Sequence, residues 1–78
     1  MKLKVTTKET QFKVLITCWI TDKLDEEEYE LLYESCRALG YECGGSNFYK
    51  IVDASEKTNE LNRLIEGLKP AFEVSLAN

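Results

Sequence analysis

The order of predicted elements in this 78-residue chain indicates an α+β fold, a small ferredoxin-like plait of the split β-α-β type. Two segments carry apolar residues at helical spacing, and strand patterns precede, separate and follow them. This order is typical of an antiparallel sheet with two helices on one face. A sheet of different strand order with the same two helices is the alternative. No repeat or linker interrupts the chain, so we expect residues 1–78 to form one domain.

The first two segments predict strands that pair as a hairpin. Residues 1–6 alternate apolar and polar side chains, which is the period of a half-buried strand. The polar residues 7–11 separate this segment from residues 12–21, which are apolar at nearly every position and rich in β-branched and aromatic types. Such a run predicts a central strand. The first segment is then an extra N-terminal strand that extends the plait.

A helix is predicted to follow the second strand. Asp22 or Asp25 begins it, and Asp25 with Glu28 three positions later fits a capping box. Apolar side chains spaced three or four residues apart define its buried face. They are Tyr29, Leu32, Tyr33, Cys36 and Leu39. Gly40 is the natural stop for this helix.

The second half of the chain repeats the alternation of strand and helix. A glycine pair at residues 44–45 predicts a tight turn before a strand over residues 48–52, with which a short strand over residues 41–43 can pair. Ser55 or Thr58 is predicted to cap the second helix. The apolar stripe of that helix is Leu61, Leu64, Ile65 and Leu68.

The last predicted strand follows Pro70, which together with Gly67 ends the second helix. Phe72, Val74 and Leu76 alternate with polar residues there, as in a half-buried strand.

Composition excludes several classes of protein. The chain has no histidine, and its three cysteines, Cys18, Cys36 and Cys43, contain no C-x-x-C pair, so we predict neither a metal site, a cofactor nor a disulfide framework. Cys18 and Cys36 lie in apolar patterns and are expected in the core. No apolar run is long enough to span a bilayer, and no secretory signal is evident. We therefore expect a cytoplasmic protein.

One surface is expected to be strongly acidic. Seven of the fourteen acidic residues lie within residues 22–34, where Lys23 is the only base. Successive residues of a helix are rotated by about 100°, which places several glutamates opposite the buried stripe, with Leu24 and Leu31 beside them. The predicted partner-binding residues are Glu26, Glu27, Glu30, Leu31 and Glu34. We expect a protein partner with a basic surface; a solvated, well-capped helix is the alternative.

A second candidate surface is the sheet face without helices. Alternation in the long strand places Leu15, Thr17 and Trp19 on the side opposite Val14 and its inward-facing neighbours. Phe48 or Tyr49 would join them. Large exposed apolar patches mark interfaces, so we predict a homodimer through this face, with coverage by the N-terminal segment as the alternative.

Aromatic residues on such a face can also stack on RNA, as in the RNA-recognition plait. Residues 44–51 lack the residue order of its aromatic strand, and the net charge of −4 disfavours a polyanion. Nucleic acid is therefore not the expected partner, although residues 1–21 are locally basic.

An aspartate at the end of the long strand, in Ile20-Thr21-Asp22, resembles the small plait nucleases of the CRISPR-adaptation type. The resemblance consists of the topology and this one residue, and it implies that Asp22 would bind a metal. Metal-assisted hydrolysis requires several converging carboxylates. We prefer the prediction that Asp22 is a helix cap.

Taken together, these patterns favour a non-catalytic, acidic protein-binding module. Such a module would dock through its first helix and act as an inhibitor or antitoxin-like regulator of a nucleic-acid-acting protein, as encoded by phages and other mobile elements. The alternatives are a nucleic-acid-binding or metal-dependent nuclease plait, and a structural subunit of a larger assembly. We predict that the protein is not an enzyme, because no groups are arranged for proton transfer or nucleophilic attack.

Overall fold

A computed structural model describes residues 2–77 and confirms the α+β class, with two helices packed on one face of a five-stranded sheet. The elements are β1 (Lys2–Glu9), β2 (Lys13–Ile20), α1 (Glu26–Ala38), β3 (Glu42–Cys43), β4 (Asn47–Asp53), α2 (Lys57–Leu68) and β5 (Glu73–Ala77). A short 3-10 turn, Ala54–Glu56, leads into α2. No helix in the described part of the chain is long and apolar enough to cross a membrane.

The strand order across the sheet is β3-β4-β2-β1-β5. The N-terminal strand β1 therefore extends the plait from within, because it lies between β2 and β5, which would be neighbours in a four-stranded plait. The β1–β5 pair is parallel and the other pairs are antiparallel. The sheet is therefore mixed, whereas the sequence patterns predicted an antiparallel sheet. Leu3 and Val5 are fully buried, and an interior strand position allows that.

The hairpin of β1 and β2 is longer than its sequence pattern indicates. Thr7 pairs with Ile16 and Glu9 pairs with Val14, so most of the polar connection predicted over residues 7–11 is strand. Glu9 also forms an ion pair with Lys57 of α2. The hairpin pairing and this long-range ion pair hold a polar segment in the sheet, which local propensity alone does not favour.

Helix α1 begins with the predicted capping box. Asp25 Oδ1 accepts from the Glu28 backbone N–H at 2.8 Å, and Glu28 Oε1 accepts from the Asp25 N–H at 3.0 Å. Asp22 is not a helix cap, and that prediction was wrong. Its carboxylate accepts instead from the backbone N–H of Lys2, at 3.0 Å, and so holds the start of β1.

Leu24 was predicted beside the glutamates on the outer face of α1, and that prediction was wrong. Leu24 precedes the first residue of the helix, so the angle of about 100° per helical residue does not give its position. It packs against the core instead.

Neither predicted cap of α2 is used. No side chain caps this helix, because the preceding 3-10 turn leads directly into it. The backbone N–H of Ala54 donates to the carbonyl of Phe12, at 2.9 Å, and ties this turn to the β1–β2 connection. The predicted apolar stripe is confirmed, with Ile65 half-buried and its other members buried.

The core lies between the sheet and the two helices. Its fully buried side chains include Ile16 and Phe48 from the sheet and Leu32 and Leu64 from the helices. Cys18 and Cys36 are buried there as predicted. A hydrogen bond from the Cys36 thiol lowers the pKa of Cys18; that bond, followed by burial, raises the pKa of Cys36.

Candidate functional site

The helices leave the other face of the sheet open. A groove of about 420 Å³ lies on this face, across the two central strands β2 and β4. Its lining residues are Leu15, Thr17, Trp19, Asn47, Tyr49 and Ile51. Three of these side chains present large apolar surfaces to solvent: Trp19 is 40% exposed, Tyr49 38% and Ile51 63%. We call this surface the sheet groove.

The alternation predicted for β2 places Leu15, Thr17 and Trp19 in the groove. Tyr49 joins them, whereas Phe48 is fully buried in the core. The alternative that the N-terminal segment folds over this face is wrong, because β1 pairs beside β2 within the sheet. None of residues 2–77 covers the groove as a further layer.

The groove side chains are held in place by their neighbours. Trp19 Nε1–H donates to Thr6 Oγ1 at 2.8 Å, which satisfies the polar edge of the indole. Gly44 approaches the groove from the β3–β4 turn, where a Cβ atom would lie 2.6 Å from Asn47 Oδ1 and 3.5 Å from the Tyr49 ring. A larger residue at position 44 would displace Asn47. These contacts position Trp19 and Asn47 at the groove.

Charges of opposite sign flank the groove. On its β1 side, Lys4 lies opposite Trp19 and Lys8 lies opposite Leu15. On its β3 side, Glu42 lies opposite Tyr49. Because directly opposite residues on neighbouring strands have Cβ atoms about 5 Å apart, these charges border the apolar residues.

The second candidate surface is the outer face of α1. Glu26, Glu27, Glu30 and Glu34 are all exposed. No ion pair among residues 2–77 involves any of these four carboxylates, although Glu9, Glu42, Asp53 and Glu60 each pair with a cation. Leu31 is 45% exposed beside them. We call Glu26, Glu27, Glu30, Leu31 and Glu34 the acidic face.

Tyr33 differs from its predicted place in the buried stripe of α1. Its ring touches Phe48 edge-on, with centroids 6.1 Å apart, and 42% of the side chain remains exposed. The helix thus carries a second large apolar group at the border of its buried face. Because the helices cover one face of the sheet, the structure does not bring the acidic face and the sheet groove together.

A buried polar cluster, which the sequence patterns did not predict, ties α1, β4 and α2. Tyr41 is fully buried and its hydroxyl donates to Glu60 Oε2 at 3.0 Å. Lys50 Nζ donates to Glu60 Oε1 at 3.2 Å and to the Leu39 carbonyl at 3.1 Å. Arg63 donates to the same carbonyl, at 3.1 Å. The cluster thereby satisfies the C-terminal end of α1, whose last carbonyls have no helical partner.

A signal for part of this cluster exists in the sequence. Lys50 lies between Phe48 and Val52 with the period of the inward-facing side of β4, and Glu60 lies four residues before Leu64 of the apolar stripe. Charged residues at two such positions indicate a buried pair. Burial, followed by the nearby Glu60 carboxylate, raises the pKa of Tyr41, so this hydroxyl remains a hydrogen-bond donor.

The third cysteine, Cys43, lies outside the core cluster of fully buried residues. It is half-buried, and its sulfur lies 3.3 Å from the Tyr29 hydroxyl, which donates to the Gly45 carbonyl at 3.1 Å. The contact with Cys43, followed by burial, raises the pKa of Tyr29. Among residues 2–77 no three cysteine or acidic side chains are grouped so that they could hold a metal ion.

Comparison of the chain with protein-family models, with curated proteins and with solved structures gave no significant match.

Proposed function

We propose that this chain is a non-catalytic protein that binds a basic surface of a partner protein through the acidic face of α1. The observation that supports the proposal is the set of four exposed glutamates without a cationic partner among residues 2–77. Opposite charges across an interface steer association and select partners. Leu31, exposed beside these glutamates, adds apolar area to the same surface.

Helix stability does not account for this charge. Glu26 and Glu27 lie in the first turn, where the helix dipole favours acids, but Glu30 and Glu34 lie beyond it. Like charges four residues apart, as in Glu26-Glu30-Glu34, cost about 0.2–0.5 kcal/mol a pair. A binding role explains why the helix carries them.

The kind of partner follows from the chemistry of the surface. Proteins that act on nucleic acid carry basic grooves that hold phosphates, and a row of carboxylates can occupy such a groove. We therefore propose an inhibitor or antitoxin-like regulator of such a protein, of the type that phages and other mobile elements encode. A cytoplasmic location is part of the proposal, and it is supported by the three free thiols.

The test compares two triple variants that remove the same number of charges. Glu27→Gln, Glu30→Gln and Glu34→Gln together change the acidic face, whereas Glu56→Gln, Glu66→Gln and Glu73→Gln change exposed acids elsewhere. A partner is captured with the parent protein from a lysate of the native host, purified, and titrated with each protein at low and high salt. We expect the acidic-face variant to bind more weakly and with little salt dependence, and the control to bind like the parent.

Equal binding by the acidic-face variant and the parent at both salt concentrations would mean that this face is only solvated. The non-catalytic part of the proposal has its own assay, in which the purified protein is incubated with RNA or DNA and magnesium or manganese. We expect no hydrolysis. Cleavage that disappears in Asp22→Asn would favour a metal-dependent nuclease instead.

A further inference from the structure

We propose that the sheet groove is the interface of a homodimer, in which a second copy packs face to face about a two-fold axis parallel to the strands. The axis would run between β2 and β4, the two strands that line the groove. This proposal uses a surface on the other side of the sheet from the acidic face. Self-association is measured on the purified protein without a partner, so its outcome is independent of the test of the proposed function.

The register of the sheet determines which residues would meet. Leu15 pairs with Ile51, Thr17 with Tyr49 and Trp19 with Asn47 across the β2–β4 boundary. A two-fold rotation about an axis on that boundary places β2 of one copy over β4 of the other at the same height along the strands. Each residue of β2 therefore faces the residue of the second copy that corresponds to its pairing partner on β4. Leu15 then meets the other copy's Ile51, and the rings of Trp19 and Tyr49 fill the groove between the sheets.

The same rotation matches the flanking charges. It places β1 of one copy over β3 of the other. Within one sheet, Thr6 pairs with Thr17, Thr17 with Tyr49 and Tyr49 with Glu42, so these residues lie at the same height along the strands. In the dimer, Glu42 of one copy then lies over Thr6 of the other. Glu42, which also forms an ion pair with Arg37 of its own chain at 3.1 Å, would therefore lie between Lys4 and Lys8 of the other copy. Among residues 2–77, Lys4 and Lys8 form no ion pair within the chain. The interface is thus self-complementary in charge as well as in shape.

The area of the face is near the lower limit for a specific dimer. The thirty residues of the five strands, at roughly 3.3 Å per residue and about 4.8 Å between strands, present on the order of 480 Å² per copy. Two such faces come to roughly 950 Å², close to the ~1,000 Å² that a specific interface should bury. Single-stranded nucleic acid suits the face less well, because the face also carries the acids Glu42, Asp53 and Glu73 on β3, β4 and β5.

The first experiment measures the state of the parent protein. Sedimentation at micromolar concentrations is expected to show a dimer that dissociates on dilution. Trp19 is the only tryptophan, so acrylamide quenching of its fluorescence reports on the groove directly. We expect Trp19 to be protected in the dimer and to become accessible as the dimer dissociates. A monomer with a freely quenched Trp19 would overturn the proposal.

The second experiment tests the axis by exchanging charges. Glu42→Lys alone, or Lys4→Glu with Lys8→Glu, places like charges together at both ends of the interface, and we expect the dissociation constant to rise about tenfold or more. Mixing the two variants pairs opposite charges again, so heterodimers should form with nearly the parental affinity. Lys23→Glu with Lys69→Glu, which changes exposed lysines outside the groove, should dimerise like the parent.

Thermal unfolding of each variant at a dilution where the parent is monomeric shows whether the fold is intact. A dimer that persists in both variants, or a mixture that does not recover, would overturn the proposed packing. An oligouridine probe is included in the quenching assay. Protection of a monomer's Trp19 by that probe would assign the groove to nucleic acid and not to a second copy.

Discussion

At the scale of single residues, the buried cluster around Glu60 is the feature with the clearest energetic consequence. A buried carboxylate is tolerated only when its oxygens have partners. Here Tyr41, Lys50 and Arg63 all lie within hydrogen-bond or ion-pair distance of Glu60. Gly40, with φ of +91°, turns the chain sharply after α1, and a Cβ atom there would lie 3.4 Å from Lys50 Nζ. Removal of one partner therefore affects several contacts.

We expect Tyr41→Phe to lower the free energy of unfolding by about 1–3 kcal/mol at neutral pH, because Glu60 loses a buried donor. The pKa of Tyr41 is raised above its ordinary value of 10 in the folded protein, first by burial. Its stabilising contribution is complete below pH 10 and is lost as the pH rises beyond that value. Denaturant unfolding between pH 7 and pH 11 should thus show that the free energy of unfolding decreases more steeply with pH for the parent than for Tyr41→Phe.

Tyr33→Phe is the matched control, because Tyr33 is partly exposed and lies outside the cluster. This variant should keep the stability of the parent and its decline at alkaline pH. The same decline in Tyr41→Phe as in the parent would show that Tyr41 does not contribute to it.

At the scale of elements, α1 combines a strong start with an unfavourable distribution of charge. The capping box satisfies two backbone donors at its N-terminus, while Glu30 and Glu34 weaken the remainder of the helix. Only two of its residues, Leu32 and Cys36, are fully buried. The helix therefore depends on its cap more than α2 does, since α2 buries a longer stripe and has no side-chain cap.

We expect Asp25→Ala to destabilise the protein by about 1 kcal/mol, with a fall in the midpoint of thermal unfolding of roughly 4–8 °C. Glu27→Gln is the control, since it removes a first-turn charge and leaves both capping-box hydrogen bonds intact. Calorimetry at one protein concentration distinguishes the two variants. If both lowered the midpoint equally, charge near the helix dipole and not the cap would stabilise the start of α1.

At the scale of the whole molecule, charge and apolar surface are separated between the two sides of the sheet. The side with the helices carries carboxylates on α1 that have no ion-pair partner among residues 2–77, and the open side carries the groove with lysines on β1. Charges further apart than the Debye length of about 8 Å at physiological salt are largely screened from one another. The proposed partner contact and the proposed dimer would therefore use separate surfaces.

Dimerisation through the groove predicts that stability depends on concentration, because association stabilises the folded state by mass action. The midpoint of thermal unfolding should rise by roughly 3–5 °C for each tenfold increase in protein concentration. The variant with Lys4→Glu and Lys8→Glu should show little of this dependence over the same range. A midpoint independent of concentration in the parent would contradict the dimer.

Much of the fold was predictable because its signals are local. The helical stripes, the capping box of Asp25 and the alternation that directs Leu15 and Trp19 away from Val14 all depend on residues within a turn or a few strand positions of one another. Solvation and backbone geometry act directly on such short patterns. The exposure of the acidic face followed from the same periodicity.

The remaining features arise from contacts between residues far apart in sequence, which no local pattern encodes. The place of β1 between β2 and β5 is decided by burial of Leu3 and Val5 beneath the helices. The contact of Asp22 with Lys2, twenty residues away, replaced the expected helix cap. The sequence by itself therefore determined the elements and the faces that their side chains occupy. The tertiary structure decided the strand order, the open groove and the burial of the Glu60 carboxylate. These three features depend on which segments, distant in sequence, pack together and bury their apolar surfaces away from water.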